Sequence, residues 1–184
     1  GALAAPGPLG LISQSGALVT AMLDWANGRG IGFSHFVSLG EHADVDFGDL
    51  LDWLASDVRT RSILLYIESI ESPRKFMSAA RAAARNKPVL VVKAGRSPQG
   101  QAAAASHTGA MAGADRMYDA LFRQVGVIRA RSFADLLNVP AALATGRRLR
   151  GQRVAILTST GGAGTLVSDD LGVAGFDTPA PDAA

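Results

Sequence analysis

The 184-residue chain carries 18 basic and 16 acidic side chains, a formal net charge of +2, and 48% of it is hydrophobic. That composition excludes a disordered polymer and suffices for one ordinary domain, or for one domain with part of another. The absence of cysteine excludes disulfides, thiol nucleophiles and cysteine-ligated metal centres.

Residues 1–10, rich in Gly, Ala and Pro, lack the basic-then-apolar order of a signal peptide and read as a linker. No apolar run reaches the ~18 residues of a membrane span; a cytoplasmic protein is expected. Both ends read as cuts, because the last elements begin a pattern they do not finish. Residues 9–13 form a short apolar run suited to a buried parallel strand. Residues 17–27 set Leu18, Met22, Trp25 and Ala26 at helical spacing, closed by Gly28. A second strand is expected over 33–39, and over 47–55 a helix with Leu50, Leu51 and Leu54 on one side and Asp46 as its cap. Residues 62–67, with Ile-Leu-Leu-Tyr-Ile at the centre, read as a third strand. Pro73 fits the first turn of a helix running to about Asn86, and 88–93 is a fourth strand.

Residues 94–113 have no clear period and read as a long loop, which in a compact domain is usually functional or disordered. Next come a helix over 115–124 ended by Gly126, a short fifth strand over 127–129, and a helix from the Ser132 cap to about Thr145. Residues 154–158 then start a new strand and 165–173 a new helix. Arg147, Arg148, Arg150 and Arg153, the only dense basic group, read as solvating the linker between the end of the preceding helix and that strand. Without any nucleic-acid-binding spacing around them, nucleic acid is not an expected partner.

Five strand–helix units in a row predict an α/β, flavodoxin-like, doubly wound parallel sheet of five strands in the order 2-1-3-4-5. Domain one would span 1–150. Residues 151–184 would begin a second flavodoxin-like domain. In such sheets ligands bind beyond the carboxyl ends of the strands, at the switch in strand order. The candidate chemistry therefore lies in the segments after strands one, three and four: Ser13-Gln14-Ser15-Gly16-Ala17, Glu68, and Ser106-His107-Thr108-Gly109. The first is a helix start of the phosphate-binding kind, with Gly16 allowing close approach. Imidazole can carry a covalent intermediate, and a carboxylate can orient it. Taken singly, each has an ordinary alternative: a helix cap, a solvated carboxylate, an exposed loop histidine.

His35, alternating with Phe33 and Val37, reads as a half-buried structural histidine, and 40–46 as loop plus cap, with no metal-ligand spacing. No Walker loop, nucleophile elbow, dinucleotide fingerprint or His-Glu-x-x-His is present. A plain FMN-binding flavodoxin is a third reading, but stacking aromatics are not evident in the loops.

Four runs in order are recognisable: Ile-Ser-Gln-Ser-Gly-Ala-Leu (12–18), Ala-Asp-Val-Asp-Phe-Gly-Asp-Leu-Leu (43–51), Lys-Pro-Val-Leu-Val-Val-Lys-Ala-Gly-Arg-Ser (87–97) and Ala-Ser-His-Thr-Gly-Ala (105–110). Together they resemble the ADP-forming acyl-CoA synthetases, the acetate–CoA ligase and succinyl-CoA synthetase-like family, which includes bifunctional Pat-like acetyltransferases. The resemblance implies a ligase reaction, acyl-CoA + ADP + phosphate ⇌ acid + CoA + ATP, through an acyl phosphate and a phosphohistidine. It implies His107 as phosphoryl carrier and Glu68 as the carboxylate that steadies it. It implies one phosphate-binding helix start at Ser15, Gly16 and Ala17 and a second at Gly161, Gly162, Ala163 and Gly164. It implies CoA, ATP or ADP, phosphate and Mg as cofactors, largely on CoA-binding and ATP-grasp partner domains outside this chain, with homo-oligomers possible. The 184 residues alone should not turn over. Gly40-Glu41-His42 departs from the Gly-Asn-Lys type of run more usual in the family. The same resemblance implies an alternative, a non-catalytic acyl-CoA-sensing module of a protein lysine acetyltransferase. Retention of His107 favours the ligase.

Overall fold

A computed structural model describes residues 3–40, 44–108, 115–143 and 150–180, without the side chains of 104–108 and 141. The chain divides into two compact units, Gly1–Gly146 and Arg147–Ala184.

The first unit alternates β1 (Pro6–Ser13), α1 (Gly16–Asn27), β2 (Phe33–Ser38), α2 (Phe47–Ser56), β3 (Ser62–Ile67), α3 (Pro73–Asn86), β4 (Val89–Lys93), α4 (Pro98–Thr108), α5 (Asp115–Val125), β5 (Ile128–Arg129) and α6 (Phe133–Leu143). The five strands are parallel throughout, in the expected order β2-β1-β3-β4-β5, one of the few that right-handed crossovers allow.

The period-two side-chain alternation of the strands divides the core. Ile12, Ile63, Leu65, Ile67, Val89 and Val91 face Leu51, Leu54, Phe76, Ala83, Phe122 and Val125 of α2, α3 and α5. Leu9, Leu11, Leu64 and Leu90 face Met22 and Ala26 of α1 and Leu136 and Leu137 of α6. β3, at the centre, is buried along its whole length, so it reads as an unbroken apolar run. Covering each face with helices removes apolar area worth roughly 25 cal/mol per Å².

Three expectations need correcting. Part of the N-terminal linker is strand: β1 begins at Pro6, the Ala5 carbonyl accepts from Phe33 N at 2.7 Å, and the Pro8 carbonyl accepts from Arg61 N at 2.7 Å. Here Gly7 and Gly32 cross so closely that a Cβ on Gly7 would lie 2.3 Å from the Gly32 carbonyl carbon. Second, most of the supposed loop over 94–113 is a helix, α4, entered through Pro98 in its first turn. Third, in the second unit 154–158 is not a strand. Among the described residues its start pairs through one parallel bridge, Arg153 to Asp177, which is too short to make a ladder. The helix after it, α7 (Gly161–Val173), starts four residues before the expected Thr165.

Local rules hold well elsewhere. Asp46 and Asp49 form a reciprocal capping box on α2, and Lys75 binds both carboxylates at 3.1 and 2.6 Å. The Ser132 hydroxyl caps α6 by accepting from Asp135 N at 3.1 Å. Gly126 ends α5 at φ +79°, a conformation that favours glycine. Among the described residues no helix is long and apolar enough to cross a membrane.

Candidate functional site

β1, β3 and β4 are adjacent, so their carboxyl ends line one edge of the sheet. At the end of β1 the chain turns sharply into α1. The buried Ser13 hydroxyl accepts from Ser15 N at 3.1 Å and donates to the Ser15 carbonyl at 3.0 Å, which fixes the turn. Ser15 is extended (φ −97°, ψ 114°) and its hydroxyl accepts from Leu18 N at 3.4 Å. One of the helix's first amides is thus capped by the protein. Among the described residues no acceptor is paired with the exposed amides of Gly16 and Ala17, which carry the partial positive charge of the helix start.

Gln14 ties this turn to the next strand. Its backbone N–H donates to the Tyr66 carbonyl at 3.2 Å. Its side-chain oxygen accepts from Glu68 N at 2.5 Å and from Ser69 N at 3.1 Å, and its amide nitrogen donates to Ser69 Oγ at 3.4 Å. Glu68 is half-buried at the end of β3. Its charge reaches the neighbouring ring: burial pushes the Tyr66 hydroxyl's pKa up, and the Glu68 carboxylate pushes it further. Tyr66 stacks on Phe133 of α6, with ring centroids 5.6 Å apart. Sequence reading attached no role to Gln14; its signal was a polar amide held between two strand-end serines.

From the end of β4, α4 runs to Thr108 and carries His107 in its last turn, not in a loop. The His107 side chain, with Gly109 and the rest of 109–114, lies outside the described residues, as does His42. His35 sits near the start of β2, away from the carboxyl edge. Its Nδ1 lies 3.3 Å from Asp57 Oδ2 and from Thr60 Oγ1, Arg59 Nη2 lies 3.0 Å from its Nε2, and its ring meets Trp53 edge-on at 4.4 Å. Every polar atom of the ring has a partner, in keeping with a structural histidine.

The second unit repeats the β1–α1 turn in miniature. Thr158 Oγ1 accepts from Thr160 N at 3.1 Å and donates to the Thr160 carbonyl at 3.1 Å, matching Ser13 and Ser15. Ser13-Gln14-Ser15-Gly16 and Thr158-Ser159-Thr160-Gly161 are thus the same local device, a relation visible in the sequence but missed there. Thr160 makes no side-chain cap bond. A Cβ on Gly161 or Gly162 would meet open space, whereas on Gly164 it would press on Thr158 Cγ2 at 3.0 Å. A side chain at Gly164 would thus require Thr158 to shift by a few tenths of an ångström. Gly161 and Gly162 each cost up to ~1 kcal/mol relative to alanine in a helix with no steric return inside the unit. Among the described residues no three His, Asp or Glu side chains gather as a metal site.

Residues 6–143 match the model of the succinyl-CoA ligase-like flavodoxin domain. The chain belongs to that family. Over 89% of its length it is 45% identical to the alpha subunit of ADP-forming acetate–CoA ligase I from Pyrococcus furiosus, covering 36% of that protein. Over 89% of its length it is 46% identical to ADP-forming acetate–CoA ligase I from Archaeoglobus fulgidus, covering 24% of that protein. It superimposes with a TM-score of 0.88 on acetyl-coenzyme A synthetase 1 of Candidatus Korarchaeum cryptofilum, solved in complex with phosphate and ADP, at 38% identity over 96% of this chain and 39% of that one. This succinyl-CoA ligase-like chain thus spans about a quarter to two fifths of the relatives it matches.

Proposed function

We propose that the chain is the phosphoryl-handling core of an ADP-forming acyl-CoA synthetase. The observation that carries the reading is the strand-end edge: unpaired amides at the start of α1 beside Glu68, with Gln14 fixing the distance between them. The relatives named as ADP-forming acetate–CoA ligases support it.

In this reading, phosphate displaces CoA from the acyl thioester, giving an acyl phosphate and free thiol. An imidazole nitrogen of His107 then takes the phosphoryl group and releases the acid, and ADP accepts it from the histidine to give ATP. The chain's own contribution is electrostatic. The amides of Gly16 and Ala17 offer fixed donors to a phosphoryl dianion, which needs many donors and little water. The α7 start at Gly161–Gly164 would supply a second set. Glu68 would hold the imidazole by accepting from its other nitrogen and balance the positive charge of the phosphorylated ring. CoA and the nucleotide, with its magnesium, would be held mainly by CoA-binding and ATP-grasp partner domains, in the cytoplasm. Residues 151–184 would open a second flavodoxin-like domain.

The test is to incubate the intact protein with [γ-32P]ATP and Mg²⁺. Acid-labile, base-stable label is expected on wild type and none on His107→Ala. Equal labelling of both would overturn the reading. CoA binding without any ATP-dependent label would favour the sensing module instead.

A further inference from the structure

The run Lys93-Ala94-Gly95-Arg96-Ser97 carries part of the family resemblance and starts at the β4 end of the same sheet edge, but the proposed chemistry gives it no role. It leaves β4, turns at Gly95 with φ +68°, and enters α4. With Asp115 it lines an open polar cleft of about 490 Å³.

Lys93 is the unusual residue. It is 2% exposed, on the last position of a central strand. Its ammonium donates to the Ala94 carbonyl and lies 4.5 Å from the centre of the Tyr118 ring. Among the described residues no carboxylate pairs with it. Burying an ammonium with so little compensation costs several kcal/mol, and burial accordingly pushes its pKa down, helped by the Arg129 cation and against smaller opposing pulls from the Asp115 and Glu68 carboxylates. The carboxylate in the cleft is already taken: Arg129 binds Asp115 Oδ1, and also Asp119 Oδ1 at 2.5 Å. Arg96 is exposed at the rim, where its Nη1 makes one long bond among the described residues, to the Arg131 carbonyl at 3.4 Å, and its charge also reaches Asp119. A buried cation and a second, loosely held one therefore border an opening whose acidic side chain is neutralised from behind. That charge pattern fits an anion.

We propose that this cleft is an anion subsite in which the Lys93 ammonium and the Arg96 guanidinium hold a phosphate group. The inference rests on reading the chain as a phosphate-handling domain. It does not require His107 to be phosphorylated, so the two fail separately.

The test is calorimetric binding by the intact protein carrying His107→Ala, with inorganic phosphate, ADP and CoA as separate probes. Lys93→Met keeps the length and removes a buried charge, and Arg96→Gln changes an exposed side chain, so both are expected to fold. A charge-assisted bond is worth ~1.5–3 kcal/mol, so Lys93→Met should weaken phosphate binding on the order of 10- to 100-fold. Arg96→Gln should weaken it by a smaller factor. A loss with inorganic phosphate assigns the subsite to free phosphate, and a loss confined to ADP or CoA assigns it to the phosphate of that ligand. Unchanged affinity for all three probes in folded Lys93→Met and Arg96→Gln would overturn the proposal, as would wild-type-like protein that binds none of them.

Discussion

The side-chain oxygen of Gln14 accepts the backbone N–H of Glu68 at 2.5 Å, joining the ends of two adjacent strands across 54 positions of sequence. The same oxygen takes Ser69 N at 3.1 Å. One amide side chain thus sets the spacing between the α1 start and the Glu68 carboxylate, the two features that the proposed chemistry uses together.

Removing that amide should loosen both. Gln14→Leu leaves two half-buried N–H groups without this acceptor, and each such loss costs ~1–3 kcal/mol less whatever water restores. A fall in stability of about 1–2 kcal/mol is expected by urea denaturation, with a larger proportional fall in phosphohistidine label. Full label at wild-type stability would show that the edge is held by other contacts.

Glu68→Gln keeps the size of the side chain and removes its charge. Its expected effect is on lifetime rather than folding: the label on His107 should decay several-fold faster, because the phosphorylated imidazole loses its balancing carboxylate. Melting temperature should stay close to wild type. A pulse–chase with unlabelled ATP reads this directly, and an unchanged half-life would remove Glu68 from its proposed role.

Gly16 separates folding from ligand approach. A Cβ there would meet Ser38 Oγ at 3.4 Å, an ordinary contact, and alanine in a helix is favoured over glycine by up to ~1 kcal/mol. Gly16→Ala should therefore be as stable as wild type or slightly more so. If the Gly16 and Ala17 amides touch a phosphoryl group, it should still lose label, because the methyl obstructs their approach. A stable variant with full label would argue against contact at this helix start.

The buried Lys93 has a pH signature of its own. Its folded pKa is held below the ordinary 10.5, chiefly by burial. Between the lowered value and 10.5 the unfolded chain binds more protons than the folded one, so this residue's contribution makes stability rise with pH in that window. Tyr66 and Tyr118, whose pKa values burial raises, act in the opposite sense above pH 10. Comparison with Lys93→Met cancels their contribution. The variant should be more stable than wild type at pH 7, by roughly 1 kcal/mol or more, and the difference should shrink towards pH 10. A constant difference across that range would mean that Lys93 is not strained by burial.

Secondary structure was legible wherever apolar contrast was strong. Ile63-Leu64-Leu65 in β3, Leu51 and Leu54 in α2, and the Asp46 and Ser132 caps all declare themselves locally. α4 did not, because Ala102 to Ala105 and their Gly, Gln and Ser neighbours give no amphipathic contrast. Its helicity comes from alanine propensity and the proline at its start, signals that a periodicity reading passes over. The 154–158 run failed for the opposite reason: its apolar pattern suits a strand, but strand structure needs a neighbour's ladder.

By itself the sequence determined the alternation of elements, the parallel sheet with its few allowed strand orders, and the residue types able to handle phosphate. Those depend on local periodicity, capping and crossover handedness. Only the tertiary structure decided that Gln14 spans to Glu68 and Ser69, that His35 is consumed by Asp57, Thr60, Arg59 and Trp53, and that Lys93 is buried with no ion-paired carboxylate among the described residues while Arg129 claims Asp115. Each of these is a pairing between residues distant in sequence or a balance of charge against burial. Such terms have no value until the strands are side by side and water has been excluded from between the layers.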